Sequence, residues 1–224
     1  MHEEIGTHSI IHLGGVPLHF DTLLSSWIVI GIILVLSILI RRNIKVIPGK
    51  LQVAMETIVS YLGGVADENL GTESKKYMPL ILGLFLYIFI ANQLGLLPTL
   101  GYIKSPTSDL NTTLGLALMV IILVQIVAIR KKGLGKYLKH FIEPYVFFLP
   151  INIIEEVAKP ITLAFRLFGN IVAGEIVIVV LGMLAPYIIP SAWLLFSVFV
   201  GLIQAFIFTM LTISYLSNVL GDEH

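Results

Sequence analysis

Arg166 stands in the middle of a strongly apolar stretch, PITLAFRLFGNIVAGE (Pro160–Glu175), and any chemistry of this chain turns on it. An arginine keeps its charge inside a protein, and holding one near a bilayer centre costs several kcal/mol, about 2.5–3.5 on insertion scales. On a helix advancing ~100° per residue, Glu155, Lys159, Thr162, Arg166, Asn170 and Ala173 fall on one narrow stripe. Leucine, isoleucine and phenylalanine cover much of the rest. Glu155 and Lys159 are four apart and can pair. Glu155 lies ~16 Å along the axis from Arg166, and Glu175 lies ~13 Å away on the other side and about half a turn round, both beyond ion-pair reach. Arg166 therefore has no carboxylate partner on its own helix, and the other apolar runs contain no acid. Its counter-charge is expected from another polypeptide at the same membrane depth, with snorkelling or helix packing as the alternative role.

Positioning such a stripe requires a membrane. The 224 residues are 57% hydrophobic and 12% charged, with a mean hydropathy of +0.95, far too apolar for an ordinary soluble domain. Cysteine is absent, which excludes disulfides and thiolate metal sites. The start, MHEEIGTHS, lacks the positive segment of a signal peptide and is expected to be the mature N-terminus. His2, His8, His12 and His19 match no metal-binding spacing, so residues 1–21 read as a solvated or interfacial external tail.

The expected architecture is an all-α multi-pass membrane protein of five membrane-crossing helices. Span 1 is 22–40, with Trp27 near the interface. Residues 41–76 form a loop carrying a surface helix, because Leu51, Ala54, Met55, Ile58 and Leu62 recur at helical spacing. Gly63-Gly64 is expected to end that amphipathic helix, leaving Asp67–Lys76 as a polar loop. Span 2 is 77–97, interrupted by Asn92-Gln93, and 98–109 is a loop in which Asp109 can cap the next helix. Span 3 is 110–129, and 130–150 holds a loop and a short apolar segment, Pro144–Ile154, too short to cross. Spans 4 (151–186) and 5 (190–220) are longer than a perpendicular crossing needs, so they form a strongly tilted hairpin, the first tilted or kinked near Pro160. Residues 221–224 end the chain.

Orientation follows from the basic residues. Arg41, Arg42, Lys45, Lys50, Lys75 and Lys76 follow span 1, and Arg130, Lys131, Lys132, Lys136 and Lys139 follow span 3; the loop after span 2 has Lys104 alone. The positive-inside rule then puts the N-terminus outside and the C-terminus in the cytoplasm. A hairpin turning near Ala185–Ile188 sets Arg166 and Gln204 nearly level and brings Glu175 to the Leu195–Ser197 region in the outer half. Glu155 and Glu156 lie toward the cytoplasmic side. The bland alternatives are a neutral structural carboxyl for Glu175, an interfacial ion pair with Lys159 for Glu155 and Glu156, and interhelical glue for Asn170 and Gln204.

The runs LAFRLFGNIVAGE (Leu163–Glu175), QAFIFTMLTISYLS (Gln204–Ser217), Lys159-Pro160 and NQLGLLP (Asn92–Pro98) closely resemble subunit a of bacterial F-type ATP synthases, and the resemblance covers essentially the whole chain. It implies a non-catalytic stator in the bacterial plasma membrane that faces a rotating ring of c subunits, each with a mid-membrane carboxylate. The b subunit of the peripheral stalk, the other ATP synthase subunits and the lipid bilayer are the further partners implied; no cofactor, metal or nucleic acid is. Arg166 matches the family's essential arginine, Gln204 its neighbour on the last helix, Asn170 an adjacent polar position and Glu175 the acid of an outer half-channel. Glu155 and Glu156 match the inner channel more loosely, and Asp109 joins them as a candidate on the proton path. Many relatives carry a histidine or acid where this chain has Ser197, so water is expected to bridge there. Protons are expected as the coupling ion. The competing classes are a transporter or channel for an anionic solute, against which stands the lack of an internal repeat, and an intramembrane enzyme, for which HExxH and GxSxG are missing.

Overall fold

The computed structural model describes residues 10–13, 16–42, 44–96, 105–135, 137, 145–184 and 188–221. Among the described residues six long helices carry the fold: α1 (Phe20–Arg42), α2 (Lys50–Leu70), α3 (Ser74–Leu94), α4 (Leu110–Lys132), α5 (Leu149–Leu184) and α6 (Ile188–Leu220). Five segments are long and apolar enough to cross a membrane, α2 and α3 counting together as one. The multi-pass all-α class is as expected, with one addition. Ahead of α1, strands β1 (Ile10–Leu13) and β2 (Val16–His19) pair antiparallel within the segment read as a tail.

The core gathers Leu62 and Ala66 of α2, Ile81, Phe85 and Ile88 of α3, Val120 and Val124 of α4, Leu163 and Leu167 of α5, and Phe208 and Leu216 of α6. Helix α1 stands at the periphery, where Val29 packs with Ala91 and Leu94 of α3. Helix α5 buries Pro160, Leu163, Ala164 and Leu167 and leaves a broad apolar face exposed, including Phe165, Ile176 and Val179. In water such a surface would drive aggregation; in a bilayer it faces lipid or another apolar chain.

Two breaks were misplaced by the sequence reading. Helix α2 runs through Gly63-Gly64 and stops at Gly71, whose φ of +55° favours glycine. The two interior glycines cost about 1 kcal/mol each, and burial of Leu62, Ala66 and Leu70 offsets that. Asp67–Lys76 is consequently not a loop: a single 3-10 turn, Gly71–Glu73, joins α2 to α3, and Ser74 Oγ donates back to Asp67 Oδ1. The stripe predicted for α2 engages the core progressively, from exposed Leu51 through half-buried Met55 and Ile58 to buried Leu62. Likewise α5 begins at Leu149, after a 3-10 turn at Val146–Phe148, and continues without interruption past Pro160. The segment read as a separate short piece is thus, from Leu149 to Ile154, the first turns of α5. Helix α3 ends at Leu94. Of the turn expected near Ala185–Ile188, residues 185–187 lie outside the described residues, as do His2, His8, Leu97, Pro98, Lys104, Lys136, Lys139 and Pro144.

Polar contacts fix the heights of the helices at one end of the bundle. Asn92 Nδ2 donates to the Gly201 carbonyl and Gln93 Nε2 to that of Val198, each at 3.3 Å, which locks α3 against α6. Gly95 allows Ser105 to fold over the end of α3 and donate to Ala91 O at 2.9 Å; a Cβ on Gly95 would lie 2.5 Å from that of Ser105. Replacing Gly95 with alanine is expected to cost about 1–3 kcal/mol, as overpacking does, read as a lower melting temperature of the purified subunit assembly. Unchanged stability would mean that the 105–109 turn shifts freely. At the other end the α4 and α6 C-termini meet, with Lys131 Nζ donating to Leu220 O, and Ser217 Oγ donates to Asn69 O of α2 at 2.8 Å.

Candidate functional site

Lys159 sits one turn beyond two consecutive acids on α5. Its ammonium donates to Glu156 Oε1 and lies 3.7 Å from Glu155 Oε1, so the expected Glu155 pairing exists but Glu156 is the nearer partner. Glu155 points outward, with 67% of its side chain exposed, against 27% for Glu156. Across from Glu156, Gln125 Nε2 of α4 donates to Oε2 at 2.5 Å, and Tyr137 OH donates to Gln125 Oε1 at 2.5 Å. Lys159 also lies 5.9 Å from the ring centroid of Tyr215 on α6, a cation–π distance. Gln125, Tyr137, Glu156, Lys159 and Tyr215, with Lys132 and Asn218, line a cavity of about 90 Å³ at the basic end of the bundle.

A second cavity, about 190 Å³, opens farther along α5. Asn170, Ala173, Gly174 and Glu175 form one wall, Trp193, Phe196, Ser197 and Val200 of α6 another, and Asn92 of α3 with Gly95 just past its end a third. Trp193 Nε1 donates to the Gly174 carbonyl at 3.3 Å and holds the two long helices together here. Glu175 and Ser197 thus border the same space, and Asn92 adds an amide from a third helix.

Arg166 lies between the two cavities and borders neither. It is exposed on the open face of α5 together with Thr162, Phe165 and Gly169, and no carboxylate among the described residues is within ion-pair distance of it. The Trp193–Gly174 and Lys159–Tyr215 contacts bracket the α5–α6 pairing; midway between them on α5 is Arg166, and midway on α6 is Gln204. The two are level, and their exposures differ. Gln204 is turned into the bundle at 6% exposure, and its Nε2 finds no hydrogen-bond partner among the described residues. A buried donor left unmade costs about 1–3 kcal/mol, which marks this spot as one where water or a rearranged side chain is accommodated.

Asp109 behaves as the cap it was expected to be, accepting from the Asn111 amide at 2.9 Å. It also accepts from Thr22 Oγ1 at 3.2 Å and lies 2.6 Å from His19 Nδ1, tying the start of α1 to the start of α4. Burial opposes its ionisation, but the Asn111 amide, His19 and Thr22 together outweigh that and hold the carboxyl below its ordinary range. It does not reach the larger cavity.

Comparison with known proteins matches residues 23–217 to the model of the family described as ATP synthase A chain. The chain belongs to that family. It is a proton-translocating membrane subunit of an ATP synthase, and a bacterial membrane protein. It is 43% identical over 222 residues to ATP synthase subunit a of Desulforamulus reducens, covering 95% of this chain and 84% of that one. The same-named proteins of Acidothermus cellulolyticus and Moorella thermoacetica are 42% and 40% identical, with coverage of 95% and 93% of this chain and 81% and 94% of theirs. Against that family frame the sequence reading missed Gln125, Tyr137 and Tyr215 at the basic end and Asn92 and Trp193 at the other. Gln125 carried a usable signal, a lone amide between Val124 and Ile126 in an otherwise apolar part of span 3. Tyr137 carried none, since nothing in a loop sequence says which side chain folds back.

Proposed function

We propose that this chain is the stator half of a rotary proton path. The larger cavity belongs to an outer half-channel entered past Glu175, the smaller one to an inner half-channel ending at Glu156 and Lys159, and Arg166 is the barrier between them. The single observation that carries this reading is the exposed Arg166, with no described carboxylate in ion-pair reach, midway between two separate cavities that each hold an acidic side chain. In this reading the carboxylates of a c-subunit ring pass along the open face of α5. A ring carboxylate can face lipid only when neutral, because a bare anion in hydrocarbon is costly. It therefore takes a proton from the outer side before leaving the interface, and returns one to the inner side after nearly a full circuit.

Arg166 attracts each deprotonated carboxylate and repels a proton attempting to pass straight between the cavities. Asn170 and Gln204 hydrate its neighbourhood, Ser197 supports water opposite Glu175, and Asp109 with His19 braces the outer end. Basic residues at the ends of α1 and α4 support a cytoplasmic location for that side, with the N-terminus outside. Each proton crossing at 100 mV releases ~2.3 kcal/mol, so several must cross per ATP formed by the soluble subunits. The b subunit of a peripheral stalk is the partner that would hold this chain against rotation.

The chain has no cysteine, so single cysteines placed at Thr162, Phe165, Gly169 and Ala173 can be cross-linked in native membranes to cysteines along mid-membrane of the c subunit. Cross-links at matching depth are the expected result. If cysteines on this face linked solely to other helices of the same chain, the ring-facing reading would be wrong.

A further inference from the structure

Two neighbouring acids, Glu155 and Glu156, stand at the inner end of the proposed path, and the surroundings of the two differ. Glu155 is outward and lies 3.7 Å from the Lys159 ammonium, whereas Glu156 lines the inner cavity and is held at both oxygens, by Lys159 and by Gln125. The Gln125 amide has a sense imposed on it. Its oxygen accepts from the Tyr137 hydroxyl, so its nitrogen must face Glu156; rotated by half a turn, it would set oxygen against carboxylate. Burial, reinforced by the Glu156 charge and partly offset by Lys159, pushes the Tyr137 phenol above its ordinary value, so it remains a donor. Tyr137 belongs to the segment after α4, on the basic side, and spans from that segment to α4 and thence to α5.

We propose that Tyr137 and Gln125 are positioning residues that hold Glu156 as the carboxylate exchanging protons with cytoplasmic water. The proposal rests on the half-channel reading above and names which acid works at its inner mouth. A proton arriving through water from the ring side binds Glu156 Oε2 as its bond from Gln125 lengthens, and leaves to water in the cavity as that bond re-forms. No other reactant is consumed. Lys159 keeps the opposite oxygen fixed throughout.

The test uses the whole ATP synthase in inverted membrane vesicles stripped of the soluble sector, with passive proton flux followed while the cytoplasmic-side pH is varied. Tyr137→Phe is expected to lower flux about tenfold, the lower edge of what a positioned acid or base contributes. It is also expected to move the cytoplasmic pH of half-maximal flux upward by about one unit, the size of one lost charge-assisted hydrogen bond. Gln125→Met, which keeps length and removes the amide, is expected to do the same. Unchanged flux and profile, or a reduced flux with an unmoved profile, overturns the proposal. So does loss of assembled subunit in both variants, which would make the pair a folding element. Glu156→Gln in the same vesicles separates the layers: if it retains full flux, the inner half-channel reading itself fails, whereas if it blocks flux while Tyr137→Phe does not, the positioning role alone falls.

Discussion

Arg166→Ala is expected to abolish ATP synthesis driven by a proton gradient in membrane vesicles while permitting passive proton leak through the membrane sector. The fixed guanidinium sits where no described carboxylate of its own chain offsets it, so its attraction for an incoming ring carboxylate is undiluted. At 4 Å and an effective dielectric of 20, that attraction is worth about 4 kcal/mol, roughly a thousandfold in the rate of any step that exposes the anion. Without it the ring acid stays protonated at the interface and rotation stops. Loss of the same positive charge also removes the electrostatic barrier between the cavities, about 15 Å of helix from Glu156 to Arg166 and a similar distance on to Glu175. Arg166→Lys is expected to rescue poorly, because an ammonium can lose its proton when desolvated and a guanidinium does not. Synthesis at the unaltered rate in vesicles carrying Arg166→Ala would remove the arginine from the mechanism. Snorkelling alone predicts a stability loss with coupling intact.

What could be read from the chain and what could not divide along a physical line. Period and charge placement made the five apolar segments long enough to cross legible, because these depend on distance along a helix of fixed rise. Local stop signals were less reliable. Gly63-Gly64 resembled a terminus, yet α2 continues because Leu62 and Ala66 on either side are buried, and tertiary packing outweighs a propensity cost of about 1 kcal/mol per glycine. Pro160 lies inside α5 without ending it, since one missing bond is tolerated within 36 residues of helix. Rotational facing was legible on α5, where the stripe through Arg166 is exposed at Thr162 and Ala173; the burial of Gln204 on α6 had no signal in the apolar run around it. Beyond the pairing of the two long helices, which set Glu175 near Ser197, individual hydrogen bonds between distant segments were out of reach. Nothing local to Tyr137 or Asn92 states that one reaches Gln125 or that the other reaches Gly201.

Glu175→Gln is expected to slow proton entry from the outer side about tenfold without unfolding the subunit, as loss of a positioned proton carrier does when water persists beside it. Glutamine keeps the length and shape of the side chain, so the Trp193–Gly174 hydrogen bond that closes α5 against α6 is preserved. The cavity also retains Asn92, Asn170 and Ser197 as hydration sites, which is why the loss is set at tenfold rather than complete. The geometry makes a compensating change available. Ser197 faces the same cavity from α6, and a histidine there would place a group that titrates near neutral pH across from the missing acid. Ser197→His in the Glu175→Gln background is therefore expected to restore a measurable part of the flux, with an outer-side pH dependence that tracks the imidazole. Full flux in Glu175→Gln alone would reduce Glu175 to packing, and a double variant no better than the single would mean that the space between the two positions does not carry the proton.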